Sequence, residues 1–146
     1  MTVSFPSTDY FEALKGQMAM AQEHFSRLGF IDTTFAVSVA NNGKSHHYVL
    51  EFEVFELKDV HEVPSIDLKK VDFAISGDER VWREMIENIK RNGQADTYHD
   101  INTLAHFGEQ LKIQYDDPDG HDKLYRFMES IQEFFDLSSK LEVSFN

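Results

Sequence analysis

Residues 73–86 read FAISGDERVWREMI and change period halfway. Phe73 and Ile75 alternate with smaller neighbours, as in a strand whose successive side chains point to opposite faces. Further on, Trp82, Met85, Ile86 and Ile89 recur at the three- and four-residue steps of one helical face. Between the two lie Ser76, Gly77, Asp78 and Glu79. Ser76 and Glu79 have the spacing of a capping box, which predicts a helix start here, although the adjacent carboxylates of Asp78 and Glu79 could also do acid–base work. The capping reading is preferred. A strand running straight into a helix that carries the only tryptophan is then the centre from which the fold is read.

Upstream, Phe11, Leu14, Met18, Ala21, Phe25 and Leu28 make one apolar stripe, predicting a single helix capped by Ser7 or Thr8 and closed at Gly29, with Gly16 a weak point inside it. Residues 33–57 switch to period two. Phe35, Val37 and Val39 form one strand, and Tyr48, Leu50, Phe52 and Val54 another, joined through Asn41-Asn42-Gly43, residues that tolerate the positive φ of a hairpin. The segment KDVHEVPSIDLKK has no clear period, and Pro64 limits it to a connection or an edge. Val71, Phe73 and Ile75 are the third strand.

Downstream, Glu79 to Arg83 and Glu87 to Arg91 are expected as i, i+4 pairs, with Gly93 ending the helix. DINTLAHFG predicts a short helix capped by Asp100, QLKIQY a fourth strand, and Asp117-Pro118 the start of a long last helix with Leu124, Phe127, Met128, Ile131, Phe134 and Phe135 on its apolar face. The tail LEVSFN alternates again and is a candidate edge strand. Strands in separate groups with helices between predict an α+β fold: one mostly antiparallel sheet of about five strands covered by helices, in a single domain over residues 1–146.

Composition narrows the function. With 26 acidic against 14 basic residues, the net charge of −12 opposes binding to nucleic acid and to anionic membrane surfaces, both of which depend on Lys and Arg. No run is long enough to span a membrane, and the N-terminus lacks the order of a signal peptide, so a soluble, cytoplasmic protein without stable membrane association is expected. The absence of cysteine excludes disulfides, thiolate metal sites and cysteine nucleophiles.

Seven histidines raise a metal or catalytic question. His46 and His47 are adjacent on a strand and point apart; His99 and His106 would stand roughly 10 Å apart on a helix. YDDPDGHD resembles a calcium loop, but aligning Gly120 with the loop glycine puts Tyr115 and Arg126 at ligand positions, so a charged helix start explains it better. No metal or cofactor site is expected. No nucleophile motif occurs, and no catalytic residue is assigned. The 13 Phe, five Tyr and one Trp suit a packed core and equally a cavity wall.

From Val71 to Phe135 the order of features resembles the sterol carrier protein 2-like family. The resemblance rests on VDFAIS, a strand ending in Ser; GDERVWREMI, an acidic helix start; and GEQLKIQYDD, which is similar to the family's Gly-x-Leu-x-Ile-x-Gly-Asp, with Tyr115 and Asp116 in place of its last two residues. It implies helices and sheet enclosing an apolar tunnel for a fatty acyl, sterol or other hydrophobic ligand. On that view Phe52, Trp82, Met85, Ile89, Leu104, Phe107, Phe127, Ile131 and Phe134 line the cavity, with His106 and Tyr98 at its rim. Two other readings stand beside this carrier: an enzyme or enzyme accessory using His106 as base and Asp100 as orienter, and a homodimer pairing through exposed aromatics.

Overall fold

The computed structural model describes residues 2–145. β2 (Thr33–Asn41), β3 (Lys44–Glu53), β4 (Glu56–Val63), β5 (Phe73–Asp78) and β6 (Lys112–Gln114) form one sheet in the order β4-β3-β2-β5-β6. Within it the β2–β5 pair is parallel and the other three pairs are antiparallel. Around it lie α1 (Thr8–Met20), α2 (Gln22–Leu28), α3 (Glu79–Asn92), α4 (Ile101–His106), α5 (Pro118–Arg126) and α6 (Met128–Asp136), followed by a 3-10 turn over Leu137–Lys140. The fold is α+β with a mostly antiparallel sheet and helical cover, as the periodicities predict.

The hairpin between β2 and β3 turns at Asn42 and Gly43, with φ of 51° and 80°, the primed turn whose twist suits a two-residue connection. The unpatterned segment after it supplies β4, an edge strand. Val54, expected within the second strand, instead sits at φ 62° in the turn between β3 and β4 and is half exposed.

Of the three long helices expected from the sequence, α3 is continuous and the first and last are broken in two. At Ala21 the backbone N–H is shared between the carbonyls of Gln17 and Met18, and at Phe127 between those of Lys123 and Tyr125. Ala21 (φ −107°, ψ 24°) and Phe127 (φ −108°, ψ 13°) leave the helical backbone region there, and Phe25 and Phe134 are buried on the helices that start after the breaks. The C-terminal tail does form a strand, but not on the main sheet: β7 (Glu142–Phe145) pairs parallel with β1 (Thr2–Phe5), a strand the sequence pattern did not announce.

The expected capping box does not form. β5 remains paired with β2 through Ser76, Gly77 and Asp78, so the sheet claims Ser76 and the helix starts after Asp78. Glu79 is therefore the first helical residue rather than the third, and it cannot reach back to a cap. The ion pairs on α3 shift accordingly, to Arg80–Glu84 and Arg83–Glu87.

Asp72 fastens α5 to the sheet. Its carboxylate accepts from Thr33 Oγ1 at 2.7 Å and from the Thr34 N–H at 3.1 Å, and pairs with Lys123 at 3.4 Å. Gly120 packs so closely that a Cβ there would lie 2.2 Å from the Asp72 carbonyl oxygen. That contact, rather than a calcium loop, is the reason for a glycine in the aspartate-rich turn.

Candidate hydrophobic-ligand site

Alternation along β2, β3 and β5 puts Phe35, Phe52 and Phe73 side by side. Phe35 stacks on Phe73 at 4.9 Å and on Phe52 at 5.5 Å. Phe52 meets Phe134 of α6 edge-on at 5.1 Å, Phe134 meets Phe135 at 5.5 Å, and Phe135 reaches Trp82 of α3 at 5.7 Å. These six rings form a continuous seam from the sheet, across α6, to α3. All are buried, and offset or edge-on ring contacts of this kind add about 0.5–1.5 kcal/mol each beyond the area they cover.

Trp82 is fully buried, and its indole N–H donates to the Ser38 carbonyl at 3.1 Å, so its one polar atom is satisfied. It packs beside β5 at Gly77, where an added Cβ would fall 3.5 Å from Nε1 and 2.5 Å from Leu111 Cδ2. A second arm of rings leaves Phe135 for Phe11 of α1 and then Tyr48 of β3, where burial pushes the phenol pKa up. Tyr10 is also raised by burial and shares a 2.6 Å hydrogen bond with Ser138, closing the layer beneath the 3-10 turn.

Of the residues singled out from the sequence, Phe52, Trp82, Met85, Ile89, Leu104, Ile131 and Phe134 are buried, and Phe127 is partly buried against the same core. Phe107 and Tyr98 lie elsewhere, at 70% and 77% exposure. Helix α4 stops at His106 and Phe107 is already extended, so the turn that would have aimed this ring inward with Ile101 and Leu104 is missing. Phe35, Phe73 and Phe135 belong to the seam and were not among the expected lining. Phe135 adjoins Phe134 on the apolar face, but Phe35 and Phe73 join only through strand register.

His106 faces a surface cleft of about 380 Å³ bounded by Ala105, Leu111, Ile113, His121 and Tyr125. Its Nε2 shares a 3.0 Å hydrogen bond with the Tyr125 hydroxyl, and the two rings stack at 5.6 Å. His121 lies against Tyr115 at 4.1 Å and edge-on to Tyr125 at 5.1 Å. His121 and Tyr125, one helical turn apart on α5, were missed because their partners come from α4 and from the segment after β6. Asp100 does not orient His106. It caps α4 from the opposite end by accepting the Thr103 N–H at 2.7 Å.

The remaining histidines are bound to single partners: His24 to Glu133, His46 to Glu62, His47 to Ser38, His61 to Asp59 and His99 to Asp96. Hydrogen bonds from His99 and Asn88 hold the Asp96 carboxyl at about 2, and they order the link between α3 and α4. Asp136 receives the Ala95 N–H from that link and the Gln132 amide, while burial raises its pKa. Among the described residues no group of three or more His, Cys, Asp or Glu is placed to hold a metal ion, and no helix is long and apolar enough to cross a membrane.

The sequence matches no protein-family model and no curated protein. The structure is similar to that of a conserved hypothetical protein from Thermus thermophilus, described there as possibly a sterol carrier protein, at a TM-score of 0.70 and 13% identity over 94% of this chain and 90% of that one. It is also similar to sterol carrier protein 2, at 0.66 and 14% over 91% and 95%, and to the ubiquinone synthesis protein UbiJ-SCP2, at 0.50 and 16% over 90% and 87%. The similarity at these TM-scores over nearly the whole of both chains gives this chain the sterol carrier protein 2-like fold.

Proposed function

We propose that the chain is a small soluble binding or carrier protein for a hydrophobic ligand, a fatty acyl chain, sterol or other lipid-like molecule, acting in the cytoplasm. The observation that carries this reading is the aromatic seam. Rings from β2, β3, β5, α3 and α6 converge on one layer between sheet and helices in a fold shared with sterol carrier protein 2. Apolar burial of about 25 cal/mol per Å² supplies the affinity, and polar groups at the edge supply orientation.

In the folded chain the layer is filled by its own side chains, with Trp82, Met85, Ile89, Ile131 and Phe134 all fully buried. A ligand site of roughly 300–1,000 Å³ therefore opens by moving rings or helices apart. The breaks at Ala21 and Phe127 divide the helical cover into short pieces, and on this reading those pieces shift separately to admit the ligand. The His106 cleft, beside buried Leu104 and Leu111, is the mouth on this reading.

Native mass spectrometry of the purified protein, followed by organic extraction, tests it. A stoichiometric co-purifying lipid, or saturable palmitate binding that changes Trp82 fluorescence, is expected. A protein that purifies free of ligand and excludes fatty acids and hydrophobic dyes would overturn the carrier reading.

A second reading is favoured by the likeness to a ubiquinone synthesis protein: the chain presents a hydrophobic intermediate to an enzyme instead of carrying it between membranes. Stable co-purification with an enzyme of hydrophobic-substrate chemistry would support it, and transfer of lipid between vesicles by the isolated chain would count against it.

A further inference from the structure

The acidic corner between β5 and α3 lies outside the aromatic seam and has a cleft of its own, about 580 Å³ in volume. One wall is the end of β2 and the hairpin turn, with Asn41 and Asn42. The other is the first turns of α3, with Asp78, Glu79, Arg80 and Arg83. The parallel register Ala40 to Asp78 holds the two walls together.

Glu79 is only 9% exposed, and its Oε1 is buried with no hydrogen-bond partner. A buried carboxylate oxygen without a donor is costly, and a carboxylate can only accept. The cationic side chains of the cleft are committed elsewhere: Arg80 to Glu84 at 3.2 Å, and Arg83 to Glu87 at 2.9 Å while lying over the Phe145 ring. Asp78, on the exposed lip, makes no capping bond. Four carboxylates against two guanidinium groups leave the lining net negative, with two carboxylates unpaired among the described residues. Adjacent Asp78 and Glu79 do not make a metal cage, since no third ligating side chain joins them among the described residues. A primary ammonium, a compact cation with several N–H donors, has the charge and the donors to satisfy both carboxylates at once.

We propose that this cleft binds a small molecule bearing a primary ammonium group, seated on Glu79 at the inner end and Asp78 at the lip. The site is independent of the hydrophobic-ligand reading and rests on different residues. Free alkylamines and the amine headgroup of a phospholipid share this chemistry, so both are tried.

Amide NMR of the whole chain is recorded while n-butylammonium is added, with 1-butanol as the uncharged reference. Saturable shifts confined to residues 41–43 and 78–84, absent with butanol and weakened by salt, are expected. E79Q keeps the shape and loses the charge, and should weaken binding at least tenfold. If E79Q does not fold, D78N should weaken it severalfold. A headgroup ligand would instead show as sedimentation with phosphatidylcholine vesicles only when phosphatidylethanolamine is included, abolished by the same substitutions. Shifts that do not saturate, that butanol reproduces, or that survive both substitutions would overturn the proposal, as would inertness toward both the amine and the vesicles.

Discussion

Replacing Phe134 by Ala tests whether the seam is one packed unit. The ring is fully buried and meets Phe52 at 5.1 Å and Phe135 at 5.5 Å. Core Phe→Ala changes cost about 3–5 kcal/mol, and two lost edge-on contacts place this one near the middle, about 4 kcal/mol. A chain of 146 residues has on the order of 7–15 kcal/mol of stability, so the variant remains folded and can be measured. With a urea slope of about 2 kcal/mol per molar, the unfolding midpoint should fall by about 2 M at unchanged slope, and Tm by roughly 8–16 °C. A hydrophobic ligand that occupies the vacated space at a hundredfold excess over its Kd should restore about 2.7 kcal/mol. A loss under about 1 kcal/mol would mean that the ring does not bridge sheet and helix, and the seam would fall with it.

Tyr10→Phe strands the Ser138 hydroxyl in a buried site and should cost about 1–3 kcal/mol in urea unfolding, while the double change with Ser138→Ala should cost less than the two singles summed. Gly120→Ala drives a methyl group into the Asp72 backbone and should cost about 3 kcal/mol or more, or prevent folding; a normal melt would refute the close approach of α5 to the sheet. Asp136 has its carboxyl pKa raised by burial, so its contribution is full below the unfolded carboxylate value of about 3.9 and is lost as pH rises through the folded one. Asp136→Asn keeps an oxygen for the Ala95 and Gln132 donors, so the variant should match the parent near pH 3 and exceed it at pH 7. Equal urea midpoints at both pH values would refute this sign.

Whatever depends on local period was legible in the sequence. The switch at residues 73–86 located β5 and α3, the Asn42-Gly43 turn located the hairpin, and Asp100 and Asp117 cap α4 and α5 as their spacing predicts. What depends on competition between elements was not. A stripe of apolar residues at three- and four-residue steps cannot distinguish one long helix from two short ones on the same side, because the break at Ala21 or Phe127 costs one shared hydrogen bond and leaves the stripe intact. Strand β1 is four residues long and gains its partner from the far end of the chain, so no local signal marks it. Burial was foreseen where a residue sits mid-helix, as with Trp82, Met85 and Ile131. It was misplaced where a residue stands on a boundary, as with Phe107.

The corner at Ser76 to Glu79 is the clearest case of two local rules making incompatible demands. The capping box needs Ser76 to leave the sheet and start the helix; the alternation of β5 needs it paired to Ser38. Extending the sheet adds backbone pairing along both strands, whereas the box satisfies two donors at a helix end, so the strand wins by two residues. The loss falls on Glu79: displaced from the third helical position to the first, it can no longer reach back to the cap and is left buried with an oxygen unpaired. A motif that fails as a cap thereby leaves behind a carboxylate suited to a ligand. Restoring the cap elsewhere, without moving Glu79, should leave amine binding unchanged if the orphaned oxygen is what holds the ligand.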